Sequence, residues 1–121
     1  MGTDGHVEAL PRERCWSLLR EGSAGRLAFT NKALPAVVAV HYGIEGDALV
    51  LRAPTGSDWP ARVAGTVVAF EVDRFAGTGE LEWSVVVIGQ IEQDGRDRLA
   101  LDLGAALLTG ERAALSAAPT A

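Results

Sequence analysis

"LPAVVAVHYGIEGDALVLR", residues Leu34 to Arg52, decides how this chain folds. Two runs rich in valine and leucine, Ala36–Ile44 and Ala48–Ala53, flank Glu45-Gly46-Asp47. A short turn containing glycine between two such runs is a hairpin signal, because glycine supplies the positive φ that tight hairpins need. Strands joined so closely must be antiparallel. Outward from that hairpin the same alternation recurs. "RLAFT" puts Leu27 and Phe29 on one side, and "TVVAFEVD" aligns Val68, Phe70 and Val72. "ELEWSVVVIGQIEQ" aligns Leu81, Trp83, Val85, Val87 and Ile91 along one face of a long strand.

Helical patterns flank these strands. Leu10–Glu21 reads as a short helix, with Pro11 in its first turn and Leu10, Cys15, Leu18 and Leu19 on one face. A second short helix is expected from Ser57, as cap, to about Ala64, with Pro60 tolerated in the first turn. A third is expected over Gly95–Leu108, where Leu99, Leu103, Ala106 and Leu107 share a helical face. This order implies a mainly β fold, a small antiparallel barrel with peripheral helices. The expected boundaries are a flexible N-terminus over 1–9, one domain over 10–110 and a flexible tail over 111–121. "SAAPTA" at the end reads as frayed.

Composition narrows the function. The chain has 121 residues, 48% hydrophobic and 22% charged, with a net charge of −5. That size suits one domain. The absence of a basic cluster argues against nucleic acid or an anionic membrane as partner, since both need concentrated positive charge. A single cysteine, Cys15, excludes an internal disulfide and suits a reducing, cytoplasmic setting. No run of apolar residues predicts a signal peptide or a membrane span.

Most catalytic signatures fail. Phosphate-loop spacing is missing, "GTGELE" (Gly77–Glu82) reads as a hairpin turn, and Ser23 in "EGSAG" lacks the spacing of a nucleophile elbow. His6 and His41 are too far apart in sequence to predict a metal site, so none is expected. Cys15 reads as a small buried apolar residue, and Glu80 and Glu82 read as solvated strand-edge charges. The stretch "LRAPTGSDW", Leu51–Trp59, stands apart. It places an arginine, two hydroxyls and a helix start within a few residues, the ingredients of an anion site.

Four segments, "CWSLLREGSAGRLAF", "LPAVVAVHYGIEGDALVLR", "GSDWPARVAGTVVAFEVD" and "EWSVVVIGQIE", occur in an order that resembles the FMN-binding split β-barrel family of pyridoxamine 5′-phosphate oxidase. They span Leu10 to about Glu92. The resemblance implies a homodimer with FMN in a groove between subunits, and an oxidoreductase acting on a small organic substrate. Carried over by position, the cofactor-binding candidates are Val40, His41, Tyr42, Arg52, Ser57, Trp83 and Ser84. His41 and Tyr42 are the candidate proton carriers, and backbone amides near them the candidate partners of the flavin's polar edge. On the residues alone, Arg52 also fits a surface strand end, Ser57 a plain helix cap and Trp83 core packing.

Three positions depart from the family pattern. Ala53 replaces a threonine, Asp58 a lysine and Glu82 a glycine. At about 4 Å and an effective dielectric of about 20, a unit charge pair is worth on the order of 4 kcal/mol, so Asp58 weighs against a phosphate. The family's closing strand also has no evident counterpart after Gly95. Two other readings therefore stand beside the flavin enzyme. One is the same fold without flavin, a small-molecule-binding protein or non-redox enzyme using the dimer groove; the other is a structural or regulatory dimer.

Overall fold

Chain reversals fall where the sequence supplies turn residues, and among the described residues they organise eight strands and two helices. The computed structural model describes residues 7–113. In order these are β1 (Val7–Ala9), α1 (Arg12–Glu21), β2 (Ala24–Asn31), β3 (Leu34–Glu45), β4 (Ala48–Arg52), α2 (Trp59–Val63), β5 (Val67–Phe75), β6 (Leu81–Gly95), β7 (Arg98–Asp102) and β8 (Leu107–Ala113). The sheet runs β1-β8-β6-β5-β2-β3-β4-β7, and an additional β6–β7 pairing closes β6, β5, β2, β3, β4 and β7 into a barrel. Strand β6 makes the split. Its first part, Trp83–Ile88, pairs with β8, and its last part, Ile91–Gly95, pairs with β7.

The alternation works as the sequence predicts. Leu27, Phe29, Val68, Phe70, Val72, Trp83, Val85, Val87 and Ile91 are all buried in one core. The Gly46-Asp47 hairpin joins β3 to β4, with Gly46 at φ 62°. Helix α1 packs Cys15, Leu18 and Leu19 into that core. Arg12 ties its first turn to the β7–β8 connection, donating to the carbonyls of Leu103 at 2.5 Å and Ala106 at 3.2 Å. Gly110 is required beneath the helix: a Cβ there would lie 2.6 Å from the Cys15 sulfur.

The third expected helix, Gly95–Leu108, is instead β7, a turn and the start of β8. Leu99, Leu101 and Leu103 are all buried, which is a period of two and not of 3.6, and Leu107 begins a new strand beyond the turn and is exposed. Leu99, Leu103 and Leu107 fit both periods, and pairing of β7 with β4 and β6 decides between them. Asp102 builds the following turn, its carboxylate accepting from the Gly104 N–H at 2.9 Å. The barrel is therefore closed, and the closing strands are present.

The boundaries also shift. Val7–Ala9, expected as loose, pairs with Glu111–Ala113 of β8, so strand reaches into both expected flexible ends. The remaining residues of those ends, 1–6 with His6 and 114–121 with "SAAPTA", lie outside the described residues. Among the described residues no helix is long and apolar enough to cross a membrane.

Candidate functional site

A groove lies on the outer surface of the barrel where β2, β3 and β4 run side by side. Ala24, Ala39, Val40, His41, Arg52, Ala53 and Pro54 line about 490 Å³ of space. The register explains the convergence. Ala24 pairs with His41, His41 with Arg52, and Arg52 with Arg98, so one row crosses four strands. Most of the lining residues are small, which leaves room above the sheet, while His41 and Arg52 supply polar groups. None of the ion pairs among the described residues involves Arg52. Its neighbour Arg98 is held by the Glu45 carboxylate at 2.8 Å and Asp94 at 3.0 Å. That bond to Arg98 pulls the Glu45 carboxyl below its ordinary range.

A second hollow of about 210 Å³ shares Ala24 and Ala39 with the first and continues it toward Gly25, Arg26 and Asp73. Here Arg26 donates to Glu71 at 2.6 Å and to Asp73 at 2.8 Å. Burial first, and then the hydrogen bond with Asp73, push the Glu71 carboxyl up. The same bond to Glu71, helped by Arg26, pulls Asp73 down. Gly25 is needed at this place because a Cβ would lie 2.6 Å from the Glu71 carbonyl oxygen. The sequence reading missed this cluster. Its only trace is Glu71 and Asp73 alternating with Phe70 and Val72, which puts both carboxylates on the outward face.

The residues expected at the site divide between several places. Val40, His41 and Arg52 share the groove. Tyr42 adjoins it in sequence, yet its side chain points inward, edge-on to Phe70 with ring centroids 5.1 Å apart. Its hydroxyl donates to the Leu19 carbonyl at 2.5 Å, and its N–H to the Ser23 carbonyl at 3.0 Å. Burial pushes the phenol up to about 12. Tyr42 therefore offers the groove neither a free amide nor a proton at neutral pH, and His41 is the candidate proton carrier that lines the groove.

Ser57 does not cap α2. Its hydroxyl turns back to the Pro54 carbonyl at 2.7 Å, and Asp58 takes the cap position without a side-chain bond to the helix. The Asp58 carboxylate instead pairs with Arg62 at 3.1 Å. A helix of only the five residues Trp59–Val63 offers little dipole to an anion. Of the polar side chains read as a cradle in "LRAPTGSDW", Arg52 is the one that lines the groove.

Trp83 is buried and lines a separate groove of about 330 Å³ with Leu10, Leu18, Leu81 and Glu82, bordered by Arg14 and Arg112. Ser84, its neighbour, lies in register opposite Asp73 on β5. Within one chain, Trp83 and Arg52 thus line different grooves.

Known proteins supply the remaining comparison. An Uncharacterized protein Rv0080 of Mycobacterium tuberculosis is 33% identical over 88 residues, which are 69% of this chain and 58% of that protein. This chain thus spans less than two thirds of that relative. The FAD binding protein of Mycobacterium smegmatis superposes with a TM-score of 0.72 at 21% identity, over 88% of this chain and 98% of that one. The FAD and heme binding protein of the same organism superposes with a TM-score of 0.72 at 19% identity, over 86% and 72%. These two likenesses establish a shared fold. The sequence pattern of pyridoxamine 5′-phosphate oxidase matches residues 11–119, nearly the whole chain, and on that ground the chain belongs to the pyridoxamine 5′-phosphate oxidase family.

Proposed function

We propose that this protein binds a flavin in the β2–β3–β4 groove and acts as an oxidoreductase on a small organic substrate, as a homodimer. The observation that carries this is the groove itself: small residues, Ala24, Ala39 and Ala53, lining it together with Arg52 and His41. A lining of that kind suits a planar ring, and its size falls within the range of small-molecule sites, roughly 300–1,000 Å³. Arg52 fits a phosphate oxygen pair through its guanidinium fork. FMN is the form the family resemblance implies, and two structural neighbours are FAD binding proteins.

The flavin would supply the electron transfer. The chain's own residues bind, orient and exclude water. Ala24 and Ala39 present apolar surface, Arg52 anchors the anionic end, and His41 can give or take a proton beside the ring. Asp73 and Arg26 extend the polar wall past Ala24.

A second copy has a place to sit. Leu107, Ile88, Ala69, Ala28 and Val37 stand in one register row across β8, β6, β5, β2 and β3. Leu107, Ile88 and Val37 in that row are exposed, and Val67 stands exposed on β5 as well. A stripe of this kind on a soluble sheet marks an interaction face. Two-fold pairing over it would bury these exposed side chains against a second copy. The lone buried Cys15 suits a reducing compartment such as the cytoplasm.

Incubation with FMN or FAD, desalting and a visible spectrum test the reading. Retained flavin colour, lost on Arg52→Ala, is the expected result; a colourless protein with both flavins overturns it. For the dimer, Ile88→Glu is expected to convert a two-chain species to a monomer in sedimentation. A wild-type chain that sediments as a monomer contradicts that part.

A further inference from the structure

Resting on the flavin reading, the geometry points to Asp73 and Arg26 as the residues that read the cyclic-imide edge of the ring, at the end of the groove away from Arg52. That edge of a flavin presents one donor, N3–H, between two carbonyl acceptors. A partner for it must set an acceptor and a donor side by side.

The sheet register does so. Arg26 pairs with Glu71, so Asp73, two residues on, stands beside Ala24, two residues back, and both line the smaller hollow. Ala24 pairs with His41, and His41 with Arg52. One row thus runs Asp73, Ala24, His41, Arg52, and three strand spacings make it roughly 14 Å long at the backbone. The two hollows meet at Ala24 and Ala39, whose small side chains leave the way between them open. A lone guanidinium stands at one end, and a carboxylate beside a guanidinium at the other.

This second pair is held firmly and keeps bonding capacity. A single nitrogen of Arg26, Nη1, donates to both Glu71 and Asp73, at 2.6 Å and 2.8 Å. Among the described residues, Nε and Nη2 of the same guanidinium donate to no other group. Asp73 accepts that bond through Oδ2, and an ionised carboxylate has about four acceptor sites. The hydrogen bond with Glu71, helped by Arg26, holds the Asp73 carboxyl below its ordinary range, so it meets a ligand as an acceptor. Glu71 is the positioning residue, since it fixes Arg26 from the other side.

The same pair sets the orientation of the ring. The Asp73 side chain is only 14% exposed. An apolar ring edge laid over it would strip its remaining water and return no hydrogen bond, which is costly for a charged group. With the anionic end at Arg52, the imide edge is therefore the one that faces Asp73.

Fluorescence titration of the full chain with FMN, FAD and the N3-methyl counterpart of each tests this, in the wild type and in Asp73→Ala. A methyl group on N3 removes the donor and sets bulk against the carboxylate. The wild type is expected to bind the unmethylated flavins at least tenfold tighter than their N3-methyl counterparts. Asp73→Ala, its fold verified by thermal melts, is expected to bind methylated and unmethylated forms alike. Equal binding of both forms by the wild type overturns the inference and leaves the flavin reading intact, and this comparison decides without the variant. Tenfold discrimination that survives in Asp73→Ala overturns it as well. Absence of binding by all four ligands overturns the flavin reading, and the inference with it.

Discussion

Strand β3 presents two faces that behave differently. Inward, Val40 and Tyr42 are packed into the core; outward, Val37, Ala39 and His41 meet solvent. The inner set fixes the barrel, through the Phe70 contact and the bond from Tyr42 to the end of α1. Ala39 and His41 of the outer set, with Arg52 from the next strand, line the groove. A period of two thus separates stability from binding along one strand, and adjacent residues carry different tasks. Substitutions on the two faces are expected to move different observables.

Phe70→Ala tests the inner face with the largest effect. Its ring is fully buried and touches Tyr42, and truncation is expected to cost about 3–5 kcal/mol in denaturant unfolding. A cost below about 1 kcal/mol would break the comparison. On the outer face, Arg52→Ala is expected to leave unfolding within about 0.5 kcal/mol of wild type. It should weaken flavin binding tenfold or more, about 1.4 kcal/mol or beyond. A loss of stability equal to the loss of binding would show that the two faces are not separable.

Tyr42→Phe sharpens the contrast between neighbours. It removes the donor to the Leu19 carbonyl and should cost about 1–2 kcal/mol without selective loss of flavin. The pH dependence follows from the same burial. The folded phenol titrates at about 12, above its ordinary 10.0. Its contribution to stability is complete below pH 10, and is lost as pH rises toward 12. Tyr42 is the single tyrosine, so phenolate absorbance reads it alone. A titration midpoint near 10 in the folded protein would contradict its packing.

The smallest effect lies far from both faces. Lys32 and Ala33 occupy the β2–β3 turn with φ of 52° and 67°. Ala33→Gly relieves the left-handed strain at some cost in chain entropy and is expected to raise stability by about 0.5–1 kcal/mol in thermal unfolding. No gain would mean that the turn adapts to its alanine.

Much of the barrel is legible in the sequence because most strands alternate strictly. Phe70 and Val72 can face only one way if Val68 does, and Gly46-Asp47 fixes the hairpin beside them. The segment after Gly95 is different. Leu99, Leu103 and Leu107 satisfy a helix as well as a strand, its alanines and leucines favour helix locally, and only pairing with β4 and β6 resolves it. At the site, Arg52 and His41 carry chemical signatures and can be named in advance. Ala24 and Ala39 cannot, because a small floor residue has no signature beyond its place. Arg26 meets Glu71 and Asp73 only through the β2–β5 register, which the sequence does not reveal. The Ser57 hydroxyl reads as a cap from its position, and its turn toward Pro54 depends on the loop's own geometry.

The most direct test of the central claim is amide NMR of the labelled protein titrated with flavin. The first and largest shifts are expected on Ala24, Ala39, His41, Arg52 and Ala53, with Leu49 and Leu51 on the inner face of β4 little changed. Saturable binding whose shifts miss the groove, or no shifts at all, would contradict it.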